Sequence, residues 1–187
     1  SGITKLTPNN GSPSVIFPGK GFLHEVGRYN NYTVEFWTRI SSESTTAKKI
    51  FGPIGSDDGL YVEDGFLTLL VGGNFSSHFV SEWFRPMLIH IAVVNNNAIV
   101  MINGEQVISL DFSTASMSLP DGVNEDWVGF YSYEDVTPIE IDCFAIYSYR
   151  VPDVVAKRRW VYGQGVGSSE SIDSAYSGTS AAIDYTF

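Results

Sequence analysis

The residues of this chain that could do chemistry are three histidines, a pair of acids, a basic cluster and several loop aromatics. His24, His78 and His90 stand apart in the sequence, with no H-x-x-x-H or C-x-x-C spacing. Neither a zinc site nor a hydrolase triad is therefore written in the pattern. Glu140-Ile141-Asp142 puts two carboxylates on one strand face. Lys157-Arg158-Arg159-Trp160 is the sole basic cluster. Against a net charge of −10 it reads as the solvated face of a short helix. His90, inside an apolar run, reads as a half-buried core or edge residue.

Sugar recognition asks for aromatic faces to stack on pyranose CH groups and polar groups to fix hydroxyls. Asn74, Phe75, His78, Trp83, Trp127, Tyr131 and Tyr133 form that candidate set, with Phe79, Glu82, Asp126 and Glu134 beside them. Phe75 and Phe79 are expected in a loop opened by Gly72-Gly73-Asn74. Strand alternation puts Trp127, Gly129, Tyr131 and Tyr133 on one face, which would be an aromatic strip if that face is exposed. Core packing is the competing explanation for the same rings.

Composition bounds the classes of function. The chain has 187 residues, 43% hydrophobic, 14% aromatic and 17% charged, which suits one globular β-rich domain. A charge of −10 disfavours binding to nucleic acid or an anionic membrane surface. The single cysteine, Cys143, excludes an intrachain disulfide, and its apolar neighbours suggest a buried, inert thiol. No apolar run approaches the roughly 20 residues of a membrane helix. Ser1-Gly2 reads as a cleavage scar, so the chain is expected to be a piece of something longer.

The elements that must position these residues are strands. Met87–Val94 and Ala98–Ile102 are apolar on both faces and flank Asn95-Asn96-Asn97. Asn103-Gly104 then turns the chain into Gln106–Phe112. Asn and Gly tolerate the positive φ of tight hairpins, so this is a meander, and its strands are expected to be covered on both sides. Further strands are expected at Val15–Phe17, Tyr32–Ile40, Lys49–Ile54, Leu60–Glu63, Phe66–Val71, Asp126–Tyr133 and Pro138–Tyr149. Asp64-Gly65 makes another hairpin. Asp153–Tyr162 is the one helix, with Asp153 as its N-cap. The expected fold is all-β: an antiparallel two-sheet sandwich with one short C-terminal helix. Residues 1–14 read as an arm or linker, 15–165 as the domain, and 166–187 as a Gly/Ser-rich linker or the start of a following domain.

Four of these pieces, in order, resemble the concanavalin A-like jelly roll of the laminin G-like and pentraxin type. They are Tyr32-Thr-Val-Glu-Phe-Trp37, Met87-Leu-Ile-His-Ile-Ala92 after Trp83, Ala98–Val107, and Ile139–Val161 with its helical turn. Three features depart from that pattern: His90 lies seven residues after Trp83, Arg150-Val-Pro replaces the usual Arg-Ala-Leu, and no cysteine pair closes the C-terminal loop. Glucanases on the resembled fold use Glu-x-Asp-x-x-Glu; the third position here is Ala145, which can neither donate nor accept a proton. The resemblance also implies calcium as an accessory. Asp57, Asp58 and Asp64, with the amide of Asn74, are one set of candidate ligands, and Asp121, Asn124, Glu125 and Asp126 are a second. Solvated turn residues are the competing explanation for both.

These observations lead to a non-catalytic carbohydrate-binding module of a larger extracellular or virion-surface protein. A structural or interaction domain of a tail fibre or adhesin that binds no sugar is the alternative; the partner is expected to be a glycan or a protein, with homo-oligomers an option for the full-length protein. A glucanase comes third.

Overall fold

The computed structural model describes residues 4–5, 13–17, 31–39, 47–53, 57–82, 85–111, 128–131, 140–147, 149–163 and 183–185. The strands are β1 (Thr4–Lys5), β2 (Pro13–Phe17), β3 (Asn31–Arg39), β4 (Lys48–Pro53), β5 (Gly59–Glu63), β6 (Phe66–Val71) and β7 (Asn74–Phe79). They continue as β8 (Met87–Val94), β9 (Asn97–Ile102), β10 (Glu105–Asp111), β11 (Val128–Tyr131), β12 (Glu140–Tyr147) and β13 (Ile183–Tyr185), with the helix α1 (Asp153–Gly163) after β12. Two antiparallel sheets result, and the fold is the all-β sandwich expected. One has seven strands in the order β1-β12-β3-β8-β9-β10, with β13 also on β12; the other has six, in the order β2-β11-β4-β5-β6-β7. The stretches read as arm and following segment each place a short strand against β12.

Tight turns set the registers. Asp64-Gly65, Gly72-Gly73 and Asn103-Gly104 all have positive φ at both positions, the type I′ geometry whose twist matches paired strands. Each fixes its hairpin, so β6 and β7 pair from Val71↔Asn74 to Phe66↔Phe79. Asn74–Phe79, expected in a loop, is thus a strand. Its glycine pair makes a two-residue hairpin turn, and the chain after it has no choice but to return along β6.

Between the sheets lies the main core. Tyr32, Val34 and Phe36 of β3 meet Ile50, Phe51, Leu60 and Leu67 of the opposite layer. Phe51 bridges the layers, its ring centroid 5.7 Å from Phe36 and 6.4 Å from Phe144. The far face of the seven-stranded sheet is also buried: Ala92, Ile99, Met101, Ala145 and Tyr147 lie under Val151 and Ala156. The helix supplies that second cover, which is why β8 and β9 are apolar on both faces. Pro152 caps it by accepting the amide of Ala156 at 3.0 Å, and Asp153, expected as N-cap, is its first helical residue.

Candidate functional site

Under the helix, a charged cluster is sealed from water. Glu35, His90 and Arg159 are each at most 1% exposed. The Glu35 carboxylate is bonded by His90 Nε2, accepts from Arg159 Nη1 at 2.7 Å, and accepts from the Tyr147 hydroxyl at 3.3 Å. Arg159 also lies 4.7 Å over the Tyr147 ring. Burial alone would push the Glu35 carboxyl up. The charges and hydrogen bonds of His90 and Arg159 outweigh it and hold the group below the usual carboxylate range. Two sequence expectations are corrected here. Arg159 is not on a solvated face, and His90 is fully buried in a central strand, because the helix lays its Ala156/Arg159 side on the sheet. This cluster is inaccessible, and its Arg159 ties α1 to the central strand β3.

An accessible concavity lies where β7, the six-stranded sheet's edge, nears the β9–β10 turn and α1. It is a groove of roughly 660 Å³, walled by His78, Phe79 and Val80 on one side and Asn103, Glu105, Lys157 and Trp160 on the other, with Glu82 and Arg85 at its mouth and Trp37 behind. Its walls are held firmly. Asn103 exchanges hydrogen bonds with Leu88, its amide donating at 2.8 Å and its side-chain oxygen accepting at 3.0 Å. Gly104, at φ +76°, presses so near α1 that a Cβ would sit 2.4 Å from the backbone of Lys157. Lys157 Nζ donates to Glu105 at 2.7 Å and lies 4.5 Å over the Trp160 ring. Glu82 and Arg85 pair at 3.5 Å. The groove therefore offers both donors and acceptors, with Trp160 on one wall and Phe79, whose ring leans out onto Phe66, at the rim of the other. Lys157 holds the Glu105 carboxyl below its ordinary range, so it is an ionised acceptor, unsuited to delivering a proton.

β7 also serves a second surface. Its odd residues point outward, level with those of β6: Phe79 beside Phe66, Ser77 beside Thr68, Phe75 beside Leu70. Phe66, Phe75 and Phe79 are 42%, 69% and 57% exposed. The Phe66 and Phe79 rings meet edge-on at 5.4 Å, and the Thr68 and Ser77 hydroxyls are 2.7 Å apart.

Botulinum neurotoxin binding domains share this fold. Three solved structures illustrate it: the binding domain of botulinum neurotoxin DC in complex with SialylT (TM-score 0.62, 13% identity), the same domain in complex with rat synaptotagmin II (0.60, 16%), and botulinum neurotoxin type C, described as depending on interaction with two ganglioside molecules to enter cells (0.59, 13%). The matches cover 85%, 86% and 86% of this chain but 45% of each of those chains, so it spans less than half their length. At such identities the likeness is one of fold. No protein-family model and no curated protein matches the sequence.

Of the residues singled out in the sequence, the structure brings His78 and Phe79 to the groove and Phe75 to the outer face of the same strand. Asn74 is exposed at the start of β7. Tyr131 ends β11, between β2 and β4; its side chain, and Trp83, Trp127 and Tyr133, lie outside the described residues, as does the Cys143 side chain. Asp57, Asp58 and Asp64 are not brought together. The first two precede β5 and the third follows it, roughly 20 Å away along an extended strand. Asp58 instead accepts from the Gly72 amide at 2.7 Å. Burial lowers the Lys49 amine to about 8, and the charges of Asp58 and Asp57 oppose that fall. Among the described residues no group of three His, Cys, Asp or Glu is placed to hold a metal ion, and no helix is long and apolar enough to cross a membrane.

In the sequence, Lys157 and Trp160 read as part of a solvated basic cluster and Asn103 and Glu105 as a turn, and none of them as a binding site. The signal for Trp160 was there: it lies three residues after Lys157, so the two share a helix face. That this face meets an Asn-Gly turn from fifty residues earlier was not.

Proposed function

We propose that this domain is a non-catalytic carbohydrate-recognition module of a larger extracellular or surface protein, of the concanavalin A-like, laminin G-like type, and that glycan binds in the groove between β7 and α1. One observation carries the reading: Phe79 and Trp160 flank the groove, with His78, Asn103, Glu82 and Arg85 between and around them. Stacking platforms with both donors and acceptors are what a polyhydroxylated ring needs. The neighbours in complex with SialylT or dependent on gangliosides support it by analogy of fold. Catalysis has little to stand on, since Ala145 occupies the third position of the acidic strand and is fully buried.

A glycan array run with calcium and with chelator tests this. The expected result is a defined set of hits, each weakened at least ~10-fold by Trp160→Ala and by His78→Ala. A wild-type protein that binds nothing on a broad array would sink the proposal. Calcium enters only as a comparison arm. The second reading, a domain that docks protein partners, is favoured by the open edge of β7 and by the neighbour solved with synaptotagmin. A partner captured without any glycan hit would support it.

A further inference from the structure

The two sheet edges on the groove side are finished differently. β10, the edge of the seven-stranded sheet, carries Glu105 and Asp111, has a bulge between Gln106 and Ile108, and is tied at its tip to Lys157. Those are the devices that keep an edge from pairing with another chain. β7, Asn-Phe-Ser-Ser-His-Phe, has no Lys, Arg, Asp, Glu or Pro and an unbroken register with β6. Among the described residues nothing pairs with its outer side.

The backbone parity of β7 is set by its hairpin. Val80 donates to the Gly65 carbonyl at 2.8 Å, and the two-residue turn at Gly72-Gly73 makes Val71 and Asn74 a hydrogen-bonded pair. Even-numbered residues of β7 therefore bond to β6, and the amides and carbonyls of Phe75, Ser77 and Phe79 face away from the sheet. The same three residues bear the outward side chains. Their pattern, Phe-x-Ser-x-Phe, is a palindrome about Ser77.

We propose that β7 pairs antiparallel with β7 of a second copy of this chain, on a twofold axis through Ser77. That register sets Ser77 opposite Ser77 of the other copy and Phe75 opposite Phe79, so each outward backbone group finds its mate in about six ladder hydrogen bonds. Side chains agree with the backbone. Each row runs Phe66, Phe79, then the other copy's Phe75 and Leu70, and a row of Thr and Ser hydroxyls lies between the two. Net charge opposes self-association, and does so least at β7, where the edge strand carries no carboxylate. The contact is isologous and closes on itself, so it makes a dimer and not a filament. Phe75 and Phe79 of both copies bring roughly 500 Å² of aromatic surface, below the usual 1,200–2,000 Å² of a stable complex, so the dimer is weak and concentration-dependent. It shares Phe79 with the glycan groove, so Ser77→Lys, which touches only this contact, and Trp160→Ala, which touches only the groove, tell the two readings apart.

Sedimentation equilibrium of the 187-residue chain from about 10 µM to about 1 mM tests it. The expected result is a monomer–dimer equilibrium, with Ser77→Lys monomeric throughout and unchanged in circular dichroism and melting temperature. Lysine there would face its own copy across the axis. Ser77→Cys gives an independent measure. Opposed residues of a hydrogen-bonded pair lie about 5.5 Å apart between Cα atoms, within disulfide reach. Mild oxidation should link the variant into a covalent dimer several-fold faster than wild type, whose one cysteine is Cys143. A wild type monomeric to the top concentration, a dimer that survives Ser77→Lys, an open-ended polymer, or no cross-linking by Ser77→Cys would each overturn the proposal.

Discussion

On the seven-stranded sheet, outward Thr33, Glu35, His90, Ala92 and Met101 lie dry beneath α1; on the six-stranded sheet, outward Phe66, Phe75 and Phe79 lie in solvent. Polarity alone would have put Thr33, Glu35 and His90 in solvent and the three phenylalanines in the core. What decides burial is whether a later element covers the face, and α1 covers only one. The covered face then had to neutralise its own carboxylate, which Arg159 does from the covering element itself. The open face keeps aromatic rings that no core requires, which is the pattern of a surface that meets other molecules.

The sharpest way to break this contrast is to remove the cation from the covered side. Arg159→Met leaves Glu35 buried with only His90 and Tyr147, and the expected cost is about 3–5 kcal/mol. In thermal melts that is a fall of roughly 6–20 °C for a domain of this size. Replacing the whole cluster (Glu35→Leu, His90→Leu, Arg159→Met) should recover most of the loss, because a dry apolar layer needs no charge balance. Acid provides the same test without mutation. The folded Glu35 carboxyl lies below its ordinary 4.5, so its contribution is present above that value and disappears as pH falls through the lower folded one. Urea titrations below about pH 4 should show this loss in wild type and not in Glu35→Gln.

A smaller effect is expected where the groove wall touches the helix. Gly104→Ala adds a Cβ 2.4 Å from Lys157 at φ +76°, and should cost about 1–3 kcal/mol while loosening the groove. If denaturant midpoints do not move, the turn is not seated against α1 as described. The smallest effect belongs to the open face. Phe75→Ser, at 69% exposure, should change stability by no more than about 0.5 kcal/mol. A large loss there would mean that something covers the face after all.

Much of the scaffold was legible. Asn-Gly and Asp-Gly pairs announced their hairpins because few other residues accept positive φ, and two-sided apolarity in 87–94 announced a doubly covered strand. The charged cluster was not legible. Glu35, His90 and Arg159 are 55 and 124 residues apart, and nothing local distinguishes a glutamate that will be buried from one facing water. The groove was half legible. His78 and Phe79 drew attention as an aromatic stretch, but the opposite wall is made by a turn and a helix whose meeting is tertiary. Phe66 could have been found, since a two-residue turn at Gly72-Gly73 places it directly beside Phe79.

The sealed cluster also fixes an order of events during synthesis. Glu35 leaves the ribosome first, His90 follows 55 residues later, and Arg159 follows 124 residues later. At 5–20 residues per second the carboxylate waits roughly 6–25 s for its guanidinium. Throughout that interval the outer face of the central strands cannot dry, because drying would strand an anion. The nascent domain thus holds its seven-stranded sheet half-finished until α1 arrives, and a chain truncated before residue 159 is expected to remain a client for chaperones.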